Sequence, residues 1–443
     1  MRAAGGAGSL VLFTRDLRVH DNAALAAAQP PVLALFVFDT RLLAGPAGAA
    51  RRVAFLLESL DDLRSSLGRR GAQLVFRTGD PAAAALTLAR EQRLAAVHAS
   101  ADHGPWALAR QRALAAGCRE LGIQLVLHAG VAACAPGELS PSGRDHYRVF
   151  TPYWRAWSVA APRPRAAAPR ALIAVDDVDG GEVPASLRRR ARGAGRQRGG
   201  EKEAHRLLRA WLSGPIAQYD EARRSAAERA TSHLGAHLHF GTISAATVLA
   251  ALPEGDGPQQ FARQLCWRDF FLQLLAASPS LAREDYRRAA VPWRSDPGAL
   301  AAWQEGRTGY PIVDAAMRQL ARDGHIHNRL RLLVASFLTR RLQLDWRDGA
   351  RHFARELVDA DVANNCGNWQ WAAGTGTDRR PGRILNPLRQ GRLLDPRGDY
   401  VRRHVPELAH LAGPVVHEPW RLPSRARPAS YPPPIVAVEG ARG

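Results

Sequence analysis

The residue types most able to do chemistry gather in the C-terminal half. The 443-residue chain has eleven tryptophans, and Trp267, Trp293, Trp303, Trp346, Trp369 and Trp371 lie close together in it. An indole can pack, stack on a flat ring or give up an electron in place, and packing is the ordinary use of any single one. Trp369 and Trp371 say more. Residues two apart on a helix point about 200° apart, so these indoles face different surroundings, which one core does not require. Just upstream lie two carboxylates and two amides, Asp359, Asp361, Asn364 and Asn365. That mixture suits a helix-ending loop first and a polar cofactor head group second. Thr231, Ser232, His233, Leu234 and Gly235 place small hydroxyls and backbone amides at an expected helix start. Such a cluster caps a helix or binds phosphate.

Two kinds of region must position these residues. Towards the N-terminus, apolar runs at Leu10–Phe13, Val32–Phe38, Gln73–Phe76, Ala95–His98 and Gln124–Leu127 read as strands. Helical stretches at 23–28 and 53–67 alternate with them, the latter with Phe55, Leu56, Leu60, Leu63 and Leu67 at threes and fours. This alternation predicts a parallel, Rossmann-like α/β sheet. From 157 to 201 prolines, glycines and the run Arg188–Arg192 break the pattern and read as an exposed, partly mobile linker. Beyond it, segments 261–275, 313–320, 327–338 and 350–357 each carry an apolar face at helical spacing. The expected organisation is an α/β domain over 1–130, a linker over 131–200 and an all-helical domain over 201–443.

Composition bounds the function. Apolar types make up 46% and charged types 23%, which excludes wholesale disorder. No long apolar run crosses a membrane, and the first ten residues carry no secretory signal. The net charge of +20 suits a polyanion partner. A general preference for arginine explains it equally, since Lys202 is the only lysine. Cys118, Cys134, Cys266 and Cys366 show no metal-binding spacing, so neither a zinc or iron–sulfur site nor a disulfide framework is expected. A reduced cytoplasmic location fits that usage.

Several long motifs then point one way. FTRDLRVHDNAAL at 13–25, WQEGRTGYPIVDAAMRQL at 303–320, HNRLRLLVASFL at 327–338, DWR at 345–347 and GNWQWAAGTGTD at 367–378 resemble the photolyase/cryptochrome flavoprotein family. The resemblance runs from about residue 9 to 437 and is weakest in the linker. It implies an α/β antenna domain joined to a helical domain that binds FAD. The implied activity is blue-light repair of pyrimidine dimers in damaged double- or single-stranded DNA, by a monomer.

The same resemblance implies roles residue by residue. Tyr219, Thr231, Ser232 and Leu234 would contact the FAD phosphate and ribitol region. Arg268 and Arg331 would line the flavin, with Arg331 paired to Asp359 in a bidentate fork. Asp361 would lie near the flavin and adenine. Asn365 would face the reactive flavin nitrogen, where an amide is photolyase-like and an aspartate is found in plant cryptochromes. Trp369, Trp346 and Trp293 would be the proximal, middle and distal members of an electron chain. Trp267 and Trp371 would wall the lesion pocket, because photolyases take the damaged base out of the stack. Stacking on an indole replaces about 1–3 kcal/mol per base. Asn328 would contact the dimer's polar edge, and Arg329 a phosphate.

Some positions depart from the family pattern. Gln264, three residues before Trp267, stands where many cyclobutane-dimer enzymes carry a glutamate; glutamine donates a hydrogen bond but transfers no proton. Leu332 replaces a pocket methionine, a volume-conserving change. The branch acting on (6-4) photoproducts also has glutamine at the first position, but it has histidine at the position of Asn328. Asn328 therefore argues for cyclobutane dimers, and His327 faces another side of the helix. His233 and Gly235 replace a frequent Arg and Ser. Gly382 falls in a shortened version of the family's stretch before Asn386-Pro387, so no DNA contact is assigned there. Gly104-Pro105 lacks the Asn-Glu pair of the folate antenna, which favours a deazaflavin over folate, with an empty pocket as the alternative. Cyclobutane-dimer repair is thus expected, ahead of cryptochrome signalling, (6-4) repair, or nucleic-acid binding with residual flavin affinity.

Overall fold

The computed structural model describes residues 7–226, 231–287, 291–378 and 384–437. The chain forms two compact units, Met1–Ser213 with His233–Pro279, and Gly214–Ser232 with Ser280–Gly443.

The first unit is built on five parallel strands, β1 (Ser9–Phe13), β2 (Val32–Asp39), β3 (Leu74–Gly79), β4 (Ala96–Ser100) and β5 (Gln124–His128), in the order β3-β2-β1-β4-β5. Leu10 lies opposite Leu33 on one side and Val97 on the other. β2 is apolar at every position but the last because helices cover both faces of a parallel sheet. The intervening helices are α1 (Ala23–Ala27), α2 (Thr40–Ala44), α3 (Ala50–Gly68), α4 (Pro81–Glu91) and α5 (Pro105–Leu121). Their starts are local chemistry: the Asn22 side chain accepts the Leu25 N–H, and Asp80 accepts those of Ala82 and Ala83.

The segment expected as a mobile linker is instead laid along this unit. It contains α6 (Phe150–Val159) and α7 (Ala185–Ala191). Val32 N–H donates to the Ile173 carbonyl at 2.7 Å and Leu172 N–H to that of Arg70 at 2.6 Å. Arg163 grips both oxygens of buried Asp21 at 2.8 and 2.7 Å. Pro and Gly break periodicity without preventing such backbone pairing.

The expected boundary after residue 200 also shifts. α8 (Glu201–Leu212), and, beyond α9 (Tyr219–Ala222) of the other unit, α10 (Gly235–Phe240), α11 (Ala245–Ala250) and α12 (Asp256–Ala277) belong with the sheet. The reason is buried polar pairing. Asp269 Oδ2 on α12 accepts the N–H groups of Ala133 and Cys134 and the Trp157 indole N–H, each at 3.0 Å. Arg18 donates to the Gly241 carbonyl at 2.8 Å. Buried groups of this kind must find partners, and these lie on the α/β unit.

The second unit is helical: α13 (Pro297–Gln304), α14 (Pro311–Asp323), α15 (Asn328–Ser336), α16 (Trp346–Glu356), α17 (Val362–Ala373), α18 (Pro387–Leu394) and α19 (Asp399–His404). A π-helical turn, Phe337–Arg341, follows α15. The core gathers Trp303, Met317, Leu333, Phe337, Trp346, Phe353 and Trp369. Burying an indole removes about 200 Å² from water, on the order of 5 kcal/mol, but its N–H needs an acceptor. Trp303 finds the Val334 carbonyl at 3.0 Å and Trp346 finds Asp285 at 2.8 Å. No described helix is long and apolar enough to cross a membrane.

Candidate active site

The centre of the second unit's chemistry is the start of α17. Asp361 caps it, accepting both the backbone and side-chain N–H of Asn364 at 2.9 Å. Asn364 and Asn365 therefore lie in a first helical turn, where a helix-ending loop was the simpler expectation. Asn365 donates its amide to the Ala350 carbonyl at 2.9 Å, which leaves its side-chain oxygen as an acceptor. Trp369 follows four residues later, on the same helix face.

The expected ion pair between Arg331 and Asp359 is present, at 2.9 Å. It is not a bidentate fork. Arg331 Nε turns to the Ile326 carbonyl at 3.0 Å, so one Nη reaches Asp359 Oδ2. Asp359 Oδ1 is buried with no hydrogen-bond partner among the described residues, as is Thr231 Oγ1. Burial alone would raise the Asp359 carboxyl, but the Arg331 charge and hydrogen bond outweigh it and hold it below its ordinary range.

Trp369 is 1% exposed and Trp346 wholly buried. Trp371 is half-buried, packed against the same core, so the two indoles of the Trp-Gln-Trp motif do differ in surroundings. Between them, buried Gln370 ties down the segment before α13. Its amide donates to the Leu281 and Glu284 carbonyls and accepts the Tyr286 N–H. That segment carries Asp285, the acceptor for Trp346. Trp293 is also half-buried, and its neighbour Arg294 bridges to Leu344 beside α16. The rings touching Trp369 are Trp303, at 5.9 Å and 75°, and Phe353, at 5.1 Å and 80°. Among the described residues Trp346 makes no ring contact with Trp369.

On α15, Asn328 is exposed and Arg329 and Leu332 are half-buried. His327 caps this helix, its Nδ1 accepting the Arg329 N–H at 3.2 Å. Burial, then the Arg329 and Arg331 charges, push His327 down to about 4, which keeps it neutral for that role. Arg329 belongs to a basic cluster with Arg223 and Arg224, both paired to Asp220. Burial first, and then these neighbouring charges, lower the Arg329 guanidinium. Burial pushes Tyr219, at the start of α9, up to about 12.

In the first unit, Gln264, Trp267 and Arg268 lie on α12. Gln264 and Trp267 are half-buried. One face of Trp267 is covered by Phe150 of α6, stacked at 3.6 Å and 4°. Arg268 is buried, donating to the Val131 and Leu238 carbonyls at 2.6 and 3.2 Å. The boundary between the units falls between Ser232 and His233. Leu234 stands at the N-cap of α10, where its own apolar side chain offers no capping oxygen. Gly104 and Pro105 are the N-cap and first residue of α5. Gly382 lies outside the described residues.

Phe150 and the contact of Trp303 with Trp369 were not anticipated. The aromatic spacing Phe150, Tyr153, Trp154, Trp157 was the available signal for the first. No spacing signals the second, because it joins two helices distant in sequence.

Comparison with known proteins agrees with this geometry. The profile described as the FAD binding domain of DNA photolyase matches residues 261–443, and the DNA photolyase profile matches 9–170. A deoxyribodipyrimidine photo-lyase of Streptomyces griseus is 46% identical over 442 residues, 98% of this chain and 97% of that protein. The crystal structure of a bacterial class III photolyase from Agrobacterium tumefaciens superposes with a TM-score of 0.90 at 35% identity, covering 98% of this chain and 95% of that one. A Synechocystis cryptochrome superposes at 0.91 with 28% identity, over 97% and 96%. With its Rossmann-like sheet and FAD-binding domain, the chain belongs to the DNA photolyase/cryptochrome family and is a photolyase-type DNA-repair enzyme of it.

Proposed function

We propose that this enzyme splits cyclobutane pyrimidine dimers in DNA with blue light. The observation that carries this reading is the placing of Asn365 and Trp369 on one face of α17, with the Arg331–Asp359 pair in the same unit. The residues present fit a flavin nucleotide. Among the described residues buried Asp359 Oδ1 and Thr231 Oγ1 have no partner, and hydroxyl and ring N–H groups of such a ligand would complete them. Reduced FAD, when bound and excited, supplies the electron that opens the cyclobutane ring and recovers it afterwards.

This chain's own residues do the rest. Asp359, kept ionised by Arg331, accepts a ligand N–H, and Asn365 offers a neutral amide oxygen. Tyr219, Thr231, Ser232, Leu234, Arg268 and Asp361 are proposed as further cofactor contacts. Trp369, Trp346 and Trp293 carry electrons inward from the surface, since a packed indole is oxidised without moving. Gln264, Trp267, Asn328, Leu332 and Trp371 receive the displaced lesion, and Arg329 a phosphate. Exposed Asn328 supports cyclobutane dimers, because (6-4) repair would need a proton donor there. The proline at the first position of α5, in place of a folate-binding pair, supports a deazaflavin antenna. Four buried free thiols support a reducing, cytoplasmic setting.

The test is to illuminate pre-reduced protein with dimer-containing oligonucleotide and follow the return of thymine absorbance, with a (6-4) substrate in parallel. Recovery with the first substrate alone is expected. The fold is shared with a photolyase and a cryptochrome alike, and recovery with neither substrate would select a signalling reading.

A further inference from the structure

Away from the site described above, three potential metal ligands converge in the first unit. His20 lies in the segment between β1 and α1. Glu201 and His205 are four residues apart on α8, hence on one face of it. One ligand atom from each lies within 4.8 Å of the other two. Among the described residues this is the single group of three such side chains.

We infer that His20, Glu201 and His205 form a site for one divalent transition-metal ion of the zinc class, tying the segment after β1 to the start of α8. Two imidazoles and a carboxylate are the donors that such a borderline ion takes, with water completing its shell. The carboxylate is already oriented. Glu201 is buried, its Oε2 accepting the Val19 N–H and its Oε1 the His20 N–H, each at 3.0 Å. Backbone donors of this kind fix a ligand's direction before the ion arrives.

The distances suit the ion as well. His20 Nδ1 is hydrogen-bonded to Glu201 Oε1 at 2.9 Å, a contact whose proton a bound ion would replace. Two atoms each about 2.0–2.1 Å from one ion are about 2.9 Å apart at a right angle and about 3.4 Å apart on a tetrahedral edge. His205 need close by no more than about 1.4 Å to complete that geometry. Its ring, edge-on to His20 with centroids 6.0 Å apart, is half-buried and makes no hydrogen bond among the described residues, so a side-chain rotation is open to it. The His20 side chain is 58% exposed, which provides both an entry path and room for water.

A purely structural reading of Glu201, as an acceptor for Val19 and His20, needs no His205, and this separates the two. Untagged full-length protein, stripped by EDTA and dialysed, is titrated calorimetrically with zinc chloride. One ion per chain is expected, with affinity weakened in His20→Ala and His205→Ala by at least the roughly tenfold that losing even an outer-shell partner costs. His98→Ala, which removes the separate His98–His128 ring pair, should bind as wild type does. Zinc should also raise the melting temperature of wild type and leave that of His205→Ala unchanged; retained flavin absorbance shows that the variants fold. No saturable uptake by wild type, a smaller loss in His205→Ala, or loss in His98→Ala overturns the assignment.

Discussion

The Cβ that Gly349 lacks would fall 2.1 Å from Cη2 of Trp369. The indole of α17 therefore lies directly against the backbone of α16, and Leu338 closes the same gap from another side, at 2.7 Å. Any side chain at 349 must push Trp369 from its place. Gly349→Ala is expected to cost about 1–3 kcal/mol by overpacking. It should also slow photoreduction of oxidised flavin. Urea unfolding and bleaching of the flavin band under blue light measure the two effects, and a variant indistinguishable from wild type in both would refute the close packing.

Trp369→Phe keeps an aromatic ring in the pocket but removes the oxidisable indole. Photoreduction should slow strongly, while repair by enzyme reduced beforehand with dithionite should stay near wild type. Collapse of repair under those conditions would show that Trp369 serves the lesion as well as the electron supply.

Gln264 donates a hydrogen bond and cannot release a proton. Gln264→Glu should raise the repair quantum yield modestly, read as dimers split per photon absorbed by reduced enzyme. An unchanged yield would mean that position 264 does not steer the electron.

Arg329 shares its neighbourhood with Arg223 and Arg224, a concentration of charge that one Asp220 does not neutralise. Arg329→Ala should weaken damaged and undamaged DNA alike, and lower the slope of log affinity against log salt by about one. A selective loss for damaged DNA would instead place Arg329 on the lesion.

Asp269 sets a pH dependence. Burial pushes its carboxyl up to about 6 from an ordinary 3.8, and the Arg268 charge and three N–H donors offset this only in part. Between those values the folded chain holds a proton that the unfolded chain releases, so stability falls as pH rises from about 4 to about 6. Asp269→Asn lacks the titration. Relative to wild type it should gain stability across that window, by up to about 3 kcal/mol. Parallel denaturant titrations at pH 4, 5, 6 and 7 measure the difference, and a constant offset would contradict the raised pKa.

Local pattern was a good guide wherever one element's own residues decide its form. The strands at 10–13 and 32–38 and the helix at 53–67 are all present, because a parallel strand must be apolar on both faces and a covering helix on one. The Arg331–Asp359 pair was also legible, since Arg331 lies in a recognisable motif and the family pattern supplies its carboxylate partner. Its single-bonded geometry was not, because that depends on the Ile326 carbonyl competing for Nε. The linker misled for a related reason: prolines and glycines hide backbone hydrogen bonds to Val32 and Arg70 that side-chain pattern does not encode.

Residue types and their order alone were enough to establish the family, the parallel sheet followed by helices, and which tryptophans, amides and carboxylates to watch. Each of these depends on short-range spacing or on motifs that survive as strings. Tertiary structure alone decided that α10–α12 join the sheet, that Phe150 lies flat on Trp267, that Gly349 makes room for Trp369, and that His20 meets Glu201 and His205. These are contacts between segments far apart in the chain, and only the folded backbone brings such segments within the few ångströms over which packing, hydrogen bonds and metal coordination act.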